Sequence, residues 1–81
     1  MTESELFEGV AETIRLALVT GPIPITPETE AAHIDGWDSL SHTVIMIMLE
    51  RKYNITLSED ESNSPNNVGE LTTLIAGKIG Q

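Results

Sequence analysis

The sequence predicts an all-α fold with three longer helices, one short third helix and a long loop after the first helix. Apolar residues recur three and four positions apart in three stretches of the chain, which is the spacing of a helix with one apolar side. Helix-start signals precede four segments, and the prolines fall outside the longer ones. Since the 81 residues include no cysteine, neither a disulfide framework nor a thiolate zinc site supports the fold. We expect one domain over residues 1–81.

The first helix is predicted over residues 2–18. Thr2 and Glu5 have the spacing of a capping box, in which each side chain accepts a hydrogen bond from the backbone N–H of the other residue. The Gly21-Pro22 pair is expected to end this helix. Its buried side is expected to hold Leu6, Phe7, Val10, Ala11, Ile14, Ala17 and Leu18.

The long loop is predicted over residues 23–38, and loops of this length in small domains are often functional or internally packed. Residues 26–30 favour one short helical turn within it, with Thr26 as the cap and a proline at the first helical position. Three isoleucines are expected to anchor the loop on the core, namely Ile23, Ile25 and Ile34.

Asp38 is predicted to cap the second helix, which runs from Ser39 to Lys52 or Tyr53. Because a domain this small cannot bury a helix all round, we expect an exposed apolar side next to Ser39, and such surfaces usually contact a partner or ligand. The alternative is a central helix whose neighbours cover that side. The side in question holds Leu40, Thr43, Val44, Ile47, Met48 and Arg51, and the opposite side holds Ile45, Met46, Leu49 and Tyr53.

A short third helix is predicted over residues 59–63, after Asn54 has ended the second helix. It begins at a second capping box, formed by Ser58 and Glu61, and Pro65 stops it.

The last helix is predicted to begin after its cap, Asn67. In the segment before the third helix, Ile55 and Leu57 alternate with polar residues and are expected to point inward. The buried side of the last helix is expected to hold Val68, Leu71, Leu74, Ile75 and Ile79.

The chain is strongly acidic, with a formal net charge of −9. A field of this sign repels nucleic acid and anionic membranes, and it attracts basic partner surfaces. No apolar run approaches the roughly 20 residues that cross a bilayer, and the acidic N-terminus lacks the basic region of a signal peptide. We therefore expect a cytoplasmic protein that binds neither nucleic acid nor membrane.

The segment Gly36-Trp37-Asp38-Ser39-Leu40 resembles the attachment motif of acyl and peptidyl carrier proteins. The resemblance covers nearly the whole chain, through its length, its acidity and the order of its helices. It implies an acyl-carrier-protein-like four-helix bundle. In such a bundle a phosphopantetheinyl transferase attaches 4'-phosphopantetheine, taken from coenzyme A, to Ser39 through a phosphodiester. Asp38 belongs to the same motif.

The resemblance also implies that the chain holds the cargo while partner enzymes load it and use it. Such a carrier is a monomer with no catalytic residue and no metal ligand of its own. It holds acyl or aminoacyl groups as thioesters, which an acyl- or aminoacyl-loading ligase supplies and downstream synthase or transferase enzymes use. We expect a discrete carrier protein, and the alternative is a carrier domain of a longer chain.

The second helix departs from the carriers of fatty acid synthesis, whose corresponding helix is strongly acidic. Here Glu50 is the only acid after the cap, and an apolar face of this kind would meet a partner mainly by apolar contact. The difference favours a polyketide, nonribosomal peptide or amino-acid-loading pathway over housekeeping fatty acid synthesis. The residues expected to bind partners are Trp37, Leu40, Val44, Met48 and Arg51.

Pro65 is a second departure, because it stands where the third helix of the family gives an apolar residue to the core. We expect that helix to be short or loose, and to leave a gap beside the second helix where an acyl chain could lodge.

A serine hydrolase is one alternative, with Ser39 as nucleophile, His42 as base and Asp35 or Asp38 to orient the histidine. Trp37 interrupts the match to the Gly-Asp-Ser-Leu hydrolases, and the chain is too short for their scaffold. We expect His42 to face the modified serine or a partner instead.

An unmodified acidic helical domain that binds a basic or apolar helix, through the side holding Val44 and Met48, is the other alternative function. A metal site is considered and set aside, because the spacing of its candidate ligands fits no ordered motif. Those candidates are His33, Asp35, Asp38 and His42.

Overall fold

The computed structural model describes residues 2–19, 21 and 23–80. Over these residues the chain forms four α-helices and one 3₁₀ helix, without a β-strand. The α-helices are α1 (Glu3–Leu18), α2 (Ser39–Tyr53), α3 (Glu59–Asn63) and α4 (Val68–Ile79), and the 3₁₀ helix spans Ala31–His33. The predicted all-α fold and the order of its helices are confirmed. None of the helices in the described part of the chain has the length and apolarity needed to span a membrane.

The start of α1 is the predicted capping box. The Thr2 hydroxyl accepts a hydrogen bond from the Glu5 N–H at 3.1 Å, and the Glu5 carboxylate accepts one from the Thr2 N–H at 2.9 Å. These bonds lower the pKa of the Glu5 carboxyl below its ordinary value, because they favour its charged form.

The end of α1 at Leu18 is as predicted, but the residue that ends the helix is Val19 and not the expected Gly21-Pro22 pair. Val19 is already in the left-handed conformation, with φ at 54°, and its N–H bonds to the carbonyls of Arg15 and Leu16. These bonds satisfy carbonyls that the last turn leaves free, so the helix stops before the glycine. Pro22 lies outside the described residues.

The core forms where α1 packs against both α2 and α4. Most of the predicted buried positions are confirmed. The prediction that Ile79 is buried is wrong, because 42% of its surface is exposed. Ile79 is the last residue of α4, and no described element follows to cover it. The largest side chains that are fully buried are Val10, Ile14, Ile45, Leu49, Val68 and Ile75.

The long loop packs on this core through its isoleucines, as predicted. Ile25 and Ile34 are buried, and Ile23 is half-buried against the same cluster. The Arg15 side chain fixes the start of the loop by donating a hydrogen bond from Nε to the carbonyl of Ile23 at 2.8 Å.

The predicted helical turn in the loop is a single hydrogen-bonded turn. The Thr29 N–H donates to the carbonyl of Thr26 at 3.0 Å, and the Thr26 N–H donates back to the Thr29 hydroxyl at 2.9 Å. That reciprocal pair closes the turn instead of extending it. The short helical segment of the loop lies further on, at Ala31–His33.

The loop also bonds directly to the first turn of α4. The Val68 N–H donates to the carbonyl of Thr29 at 2.9 Å, and the Gly69 N–H donates to the carbonyl of Pro27 at 2.8 Å. These contacts satisfy two N–H groups that the start of a helix leaves free. They also bring backbone so close that a Cβ atom built on Gly69 would lie 2.9 Å from the Pro27 oxygen.

Gly69→Ala is therefore expected to destabilise the fold by about 1–2 kcal/mol, because crowding against backbone outweighs the usual helix gain from alanine. Gly77→Ala is the matched control in the same helix, since a Cβ there meets no atom within 4 Å. It should stabilise by roughly 0.5–1 kcal/mol. Urea denaturation of both variants tests the opposite signs, and stabilisation by both would show that the loop does not press on Gly69.

Candidate functional site

The candidate site begins at the N-terminus of α2, where Ser39 is the first helical residue and is exposed. Asp38 is the N-cap, as predicted, and its carboxylate accepts a hydrogen bond from the Ser41 N–H at 2.9 Å. This bond holds the pKa of the Asp38 carboxyl below its ordinary value, because it stabilises the carboxylate. The cap keeps the first turn of α2 regular while the Ser39 side chain faces solvent.

The chain reaches Ser39 through a tight turn at Gly36. The φ of Gly36 is 89°, which is a region that glycine enters without the cost that a Cβ would impose. The Trp37 N–H donates to the carbonyl of Ile34 at 3.3 Å, and the Asp38 N–H donates to the carbonyl of Gly36 at 3.1 Å. Because Ile34 is buried, the turn ties the position of Ser39 to the core.

A cleft of about 740 Å³ runs from Ser39 between α2, the long loop and the α3 segment. The gap expected beside α2 is therefore present. The cleft also has a polar wall, which includes Thr43, Glu50, Glu59 and Asn63. Its apolar lining consists of Ala31, Trp37, Met46, Ile47, Leu57 and Pro65.

His42 lies in this cleft and connects the loop to α3. The Trp37 Nε1–H donates to His42 Nδ1 at 3.1 Å, and the two rings are stacked with centroids 6.2 Å apart. His42 Nε2 lies 2.8 Å from the carbonyl oxygen of Ser62. Since Nδ1 accepts the indole proton, Nε2 carries the imidazole proton and donates it to that carbonyl.

His42 is expected to face the modified serine or a partner; in the structure it lines the same cleft as Ser39, and its ring bonds to Trp37 and Ser62. Both ring nitrogens are already bonded, so neither is free to take a proton from Ser39, and the hydrolase arrangement is not formed. The second bond was not predictable from residue types, because Ser62 contributes a backbone carbonyl and not its side chain.

The other histidine also bonds to backbone. His33 Nδ1 accepts a hydrogen bond from the Glu30 N–H at 3.2 Å. Among the described residues no group of three histidine, aspartate or glutamate side chains lies close enough to hold a metal ion.

None of the residues of α3 is buried, and two polar contacts link α3 to the other described helices. One is the Ser62 carbonyl on His42. The other is an ion pair in which Lys78 Nζ lies 2.7 Å from the Glu61 carboxylate, whose second oxygen accepts the Ser58 N–H of the predicted capping box. The pKa of the Glu61 carboxyl is lowered most by the hydrogen bond from Lys78, and next by the hydrogen bond from the Ser58 N–H.

Lys78→Met is expected to raise the pKa of Glu61 toward its ordinary value, 4.5, because the largest cause of the shift is removed. A lowered folded-state pKa adds stability above the unfolded value, and this contribution is lost as the pH falls through the folded value. The stability difference between wild type and Lys78→Met should therefore be largest near neutral pH and shrink on acidification. NMR titration of the carboxyl carbons measures the pKa of Glu61 in both proteins, with Glu5 as the internal control.

If the pKa of Glu61 is the same in both proteins, the ion pair does not form in solution. The Glu5 carboxyl should titrate identically in both, because its pKa is lowered by Thr2 and not by Lys78.

The apolar side of α2 next to Ser39 is exposed, as predicted. Leu40, Val44 and Ile47 expose 75%, 40% and 43% of their surfaces, and we call these three residues the α2 apolar face. Met48 is half-buried and Arg51 is exposed. The opposite side is the buried one and holds Ile45, Met46 and Leu49.

Comparison with known proteins gives consistent results. The fold is similar to the solution NMR structure of a holo acyl carrier protein from Geobacter metallireducens, with a TM-score of 0.83 and 34% identity over 91% of this chain and 85% of that chain. The acyl carrier protein of Helicobacter pylori strain J99 is 31% identical over 70 residues, which are 86% of this chain and 90% of that protein.

The meromycolate extension acyl carrier protein of Mycobacterium leprae is 31% identical over 75 residues. These are 93% of this chain, but the match spans only 65% of the length of that relative. No protein-family model matches the chain.

Proposed function

Because the chain belongs to the acyl carrier protein family, we propose that it carries acyl or aminoacyl groups on a 4'-phosphopantetheine arm attached to Ser39. The observation that supports this most directly is the position of Ser39, exposed at a capped helix start and at the edge of a large cleft. When bound, the group supplies a thiol, which this cysteine-free chain lacks, so that cargo is held as a thioester.

The residues around Ser39 fit such a group. The Ser39 hydroxyl is the point of attachment, and the first turn of α2 presents backbone N–H groups and the positive end of the helix dipole to a phosphodiester there. Asp38 keeps that turn in place through its bond to the Ser41 N–H. The chain itself needs no nucleophile, because a phosphopantetheinyl transferase makes the linkage from coenzyme A.

The same proposal assigns no catalysis to this chain. In the described arrangement His42 has no free ring nitrogen, and Asp38 is occupied as a cap. The partners are the transferase, a loading ligase for acyl or aminoacyl groups, and downstream synthase or transferase enzymes. The protein acts in the cytoplasm as a monomeric carrier domain.

We assign partner contact to the α2 apolar face together with Trp37, Met48 and Arg51. This surface lies beside Ser39, so an enzyme that acts on the arm would also touch it. The face combines exposed apolar side chains with a cation and has no carboxylate among these residues, which supports a specialised pathway over housekeeping fatty acid synthesis. Polyketide, nonribosomal peptide and amino-acid-loading systems are the candidates.

The test is intact-mass measurement of the purified protein after incubation with coenzyme A and a phosphopantetheinyl transferase of broad specificity. We expect the gain of one phosphopantetheine group per chain. If well-folded protein gains no mass while a known carrier in the same tube is modified, the carrier function is ruled out. The unmodified interaction domain, which the exposed α2 apolar face also supports, would then take its place.

A further inference from the structure

Two aromatic side chains and one carbonyl form a continuous bridge across the cleft. Trp37 comes from the end of the long loop, His42 from α2 and the Ser62 carbonyl from α3. The two hydrogen bonds measure 3.1 Å and 2.8 Å, and both are partly shielded from water. The indole and imidazole planes are inclined by only 26°, so the rings also stack.

This bridge separates two spaces of very different size. On one side is the outer cleft of about 740 Å³, which Ser39, Ile47 and Leu57 line. On the other is a smaller, partly open pocket of about 50 Å³, which we call the inner cavity; Asn67 and Leu71 line it and Ser39 does not. The residues that line both spaces include all three members of the bridge.

The inner cavity has room for a few water molecules but not for an alkyl chain of several carbons. To enlarge it, a chain coming from Ser39 would have to displace the His42 ring and break both of its hydrogen bonds. An alkyl chain offers neither a donor nor an acceptor in return, so the Trp37 N–H and the Ser62 carbonyl would be left without partners.

The outer cleft, by contrast, accepts polar groups. Thr43, Glu50, Glu59 and Asn63 lie along it, and these side chains can pair with hydroxyl, amide or ammonium groups of a cargo. The Glu50 carboxylate is held in place because it accepts the Leu57 N–H at 2.8 Å.

We propose that the Trp37–His42–Ser62 bridge determines cargo specificity, by closing the inner cavity and confining cargo to the polar outer cleft. The protein then carries short or polar acyl groups, aminoacyl groups included, in preference to long saturated chains. This inference rests on the proposed attachment of the arm at Ser39.

The experiment loads wild type and His42→Leu with an octanoyl-phosphopantetheine group. The transferase transfers it from octanoyl coenzyme A to Ser39 and releases adenosine 3',5'-bisphosphate, and intact mass confirms the loading. Nuclear Overhauser contacts are then measured from the octanoyl terminal methyl to Leu57, which lines only the outer cleft, and to Leu71, which lines only the inner cavity. We expect no Leu71 contact in wild type and a clear Leu71 contact in His42→Leu.

The experiment includes two further variants, a second bridge variant and a matched control. Trp37→Phe keeps a ring in place but removes the N–H donor, and it should allow the Leu71 contact even if His42→Leu fails to fold. His33→Leu is the matched control, because this exposed histidine takes no part in the bridge, and it should behave as wild type.

A Leu71 contact in wild type would overturn the inference, and so would its absence from both bridge variants when they are loaded and folded. If intact mass shows that folded wild type takes up no group at all, it is the proposed function that fails, and the inference falls with it. The mass and the Overhauser contacts therefore separate the two failures.

Discussion

Ser39→Ala is expected to lose phosphopantetheine attachment completely while the protein stays folded. The arm requires an oxygen on this residue, and no other group in the first turn occupies the same position. The Ser39 side chain is exposed, and its backbone carbonyl, which accepts a hydrogen bond from the Thr43 hydroxyl at 3.1 Å, remains in the variant. The stability should therefore change by no more than about 0.5 kcal/mol, as at other surface positions. Intact mass and thermal unfolding test the two halves of this prediction.

Ser41→Ala is the matched control, two positions further along the same helix. Its backbone N–H still bonds to Asp38, so the cap survives and the variant should be modified as fast as wild type. Ser39→Ala separates the carrier from an unmodified interaction domain, because Val44→Asp is expected to weaken partner contact in both. The interaction domain would tolerate Ser39→Ala and lose partner binding with Val44→Asp, and that pattern would contradict the carrier function.

Leu49→Ala is expected to cause the largest loss of stability among these substitutions. Leu49 is fully buried on the inner side of α2, within the cluster that α1 and α4 complete. Removing a buried leucine side chain costs about 2–5 kcal/mol, from lost transfer free energy and the cavity left behind. Small domains are stable by about 5–15 kcal/mol, so this loss is a large share of the total. The free energy of unfolding in urea measures it.

Ile47→Ala is the control for this prediction, because Ile47 lies on the same helix with 43% of its surface exposed. It should cost less than about 1 kcal/mol, since much of its surface already meets water. If both variants lost the same stability, the assignment of the two sides of α2 would be wrong.

Local signals in the sequence were sufficient for most helix boundaries. The capping boxes at Thr2 and Ser58 and the caps at Asp38 and Asn67 use side chains that bond within three residues, so the pattern of residue types determines them. The end of α1 at Leu18 was also predicted, but its stop signal was not. Val19, a β-branched residue, takes the left-handed conformation that residue statistics assign to glycine, and it ends the helix before Gly21.

The tertiary contacts of the site were less predictable. Ser39 and its cap followed from local pattern, whereas the role of His42 depends on Ser62, which is 20 positions away in sequence and contributes only a carbonyl. Every residue carries such a carbonyl, so no residue type indicates this bond. Ile79 was assigned to the core by its spacing, but burial also requires a neighbour that covers it.

The packing of α1 against both α2 and α4 has a consequence for the order of events during synthesis. Among the described helices, α1 is synthesised before the others and α4 is synthesised last. Val68, Leu71 and Ile75 complete the burial of the core, so the bundle cannot close on a nascent chain that still lacks them. Under the proposed function, we therefore expect a transferase that recognises the folded start of α2 to act only after α4 has been translated.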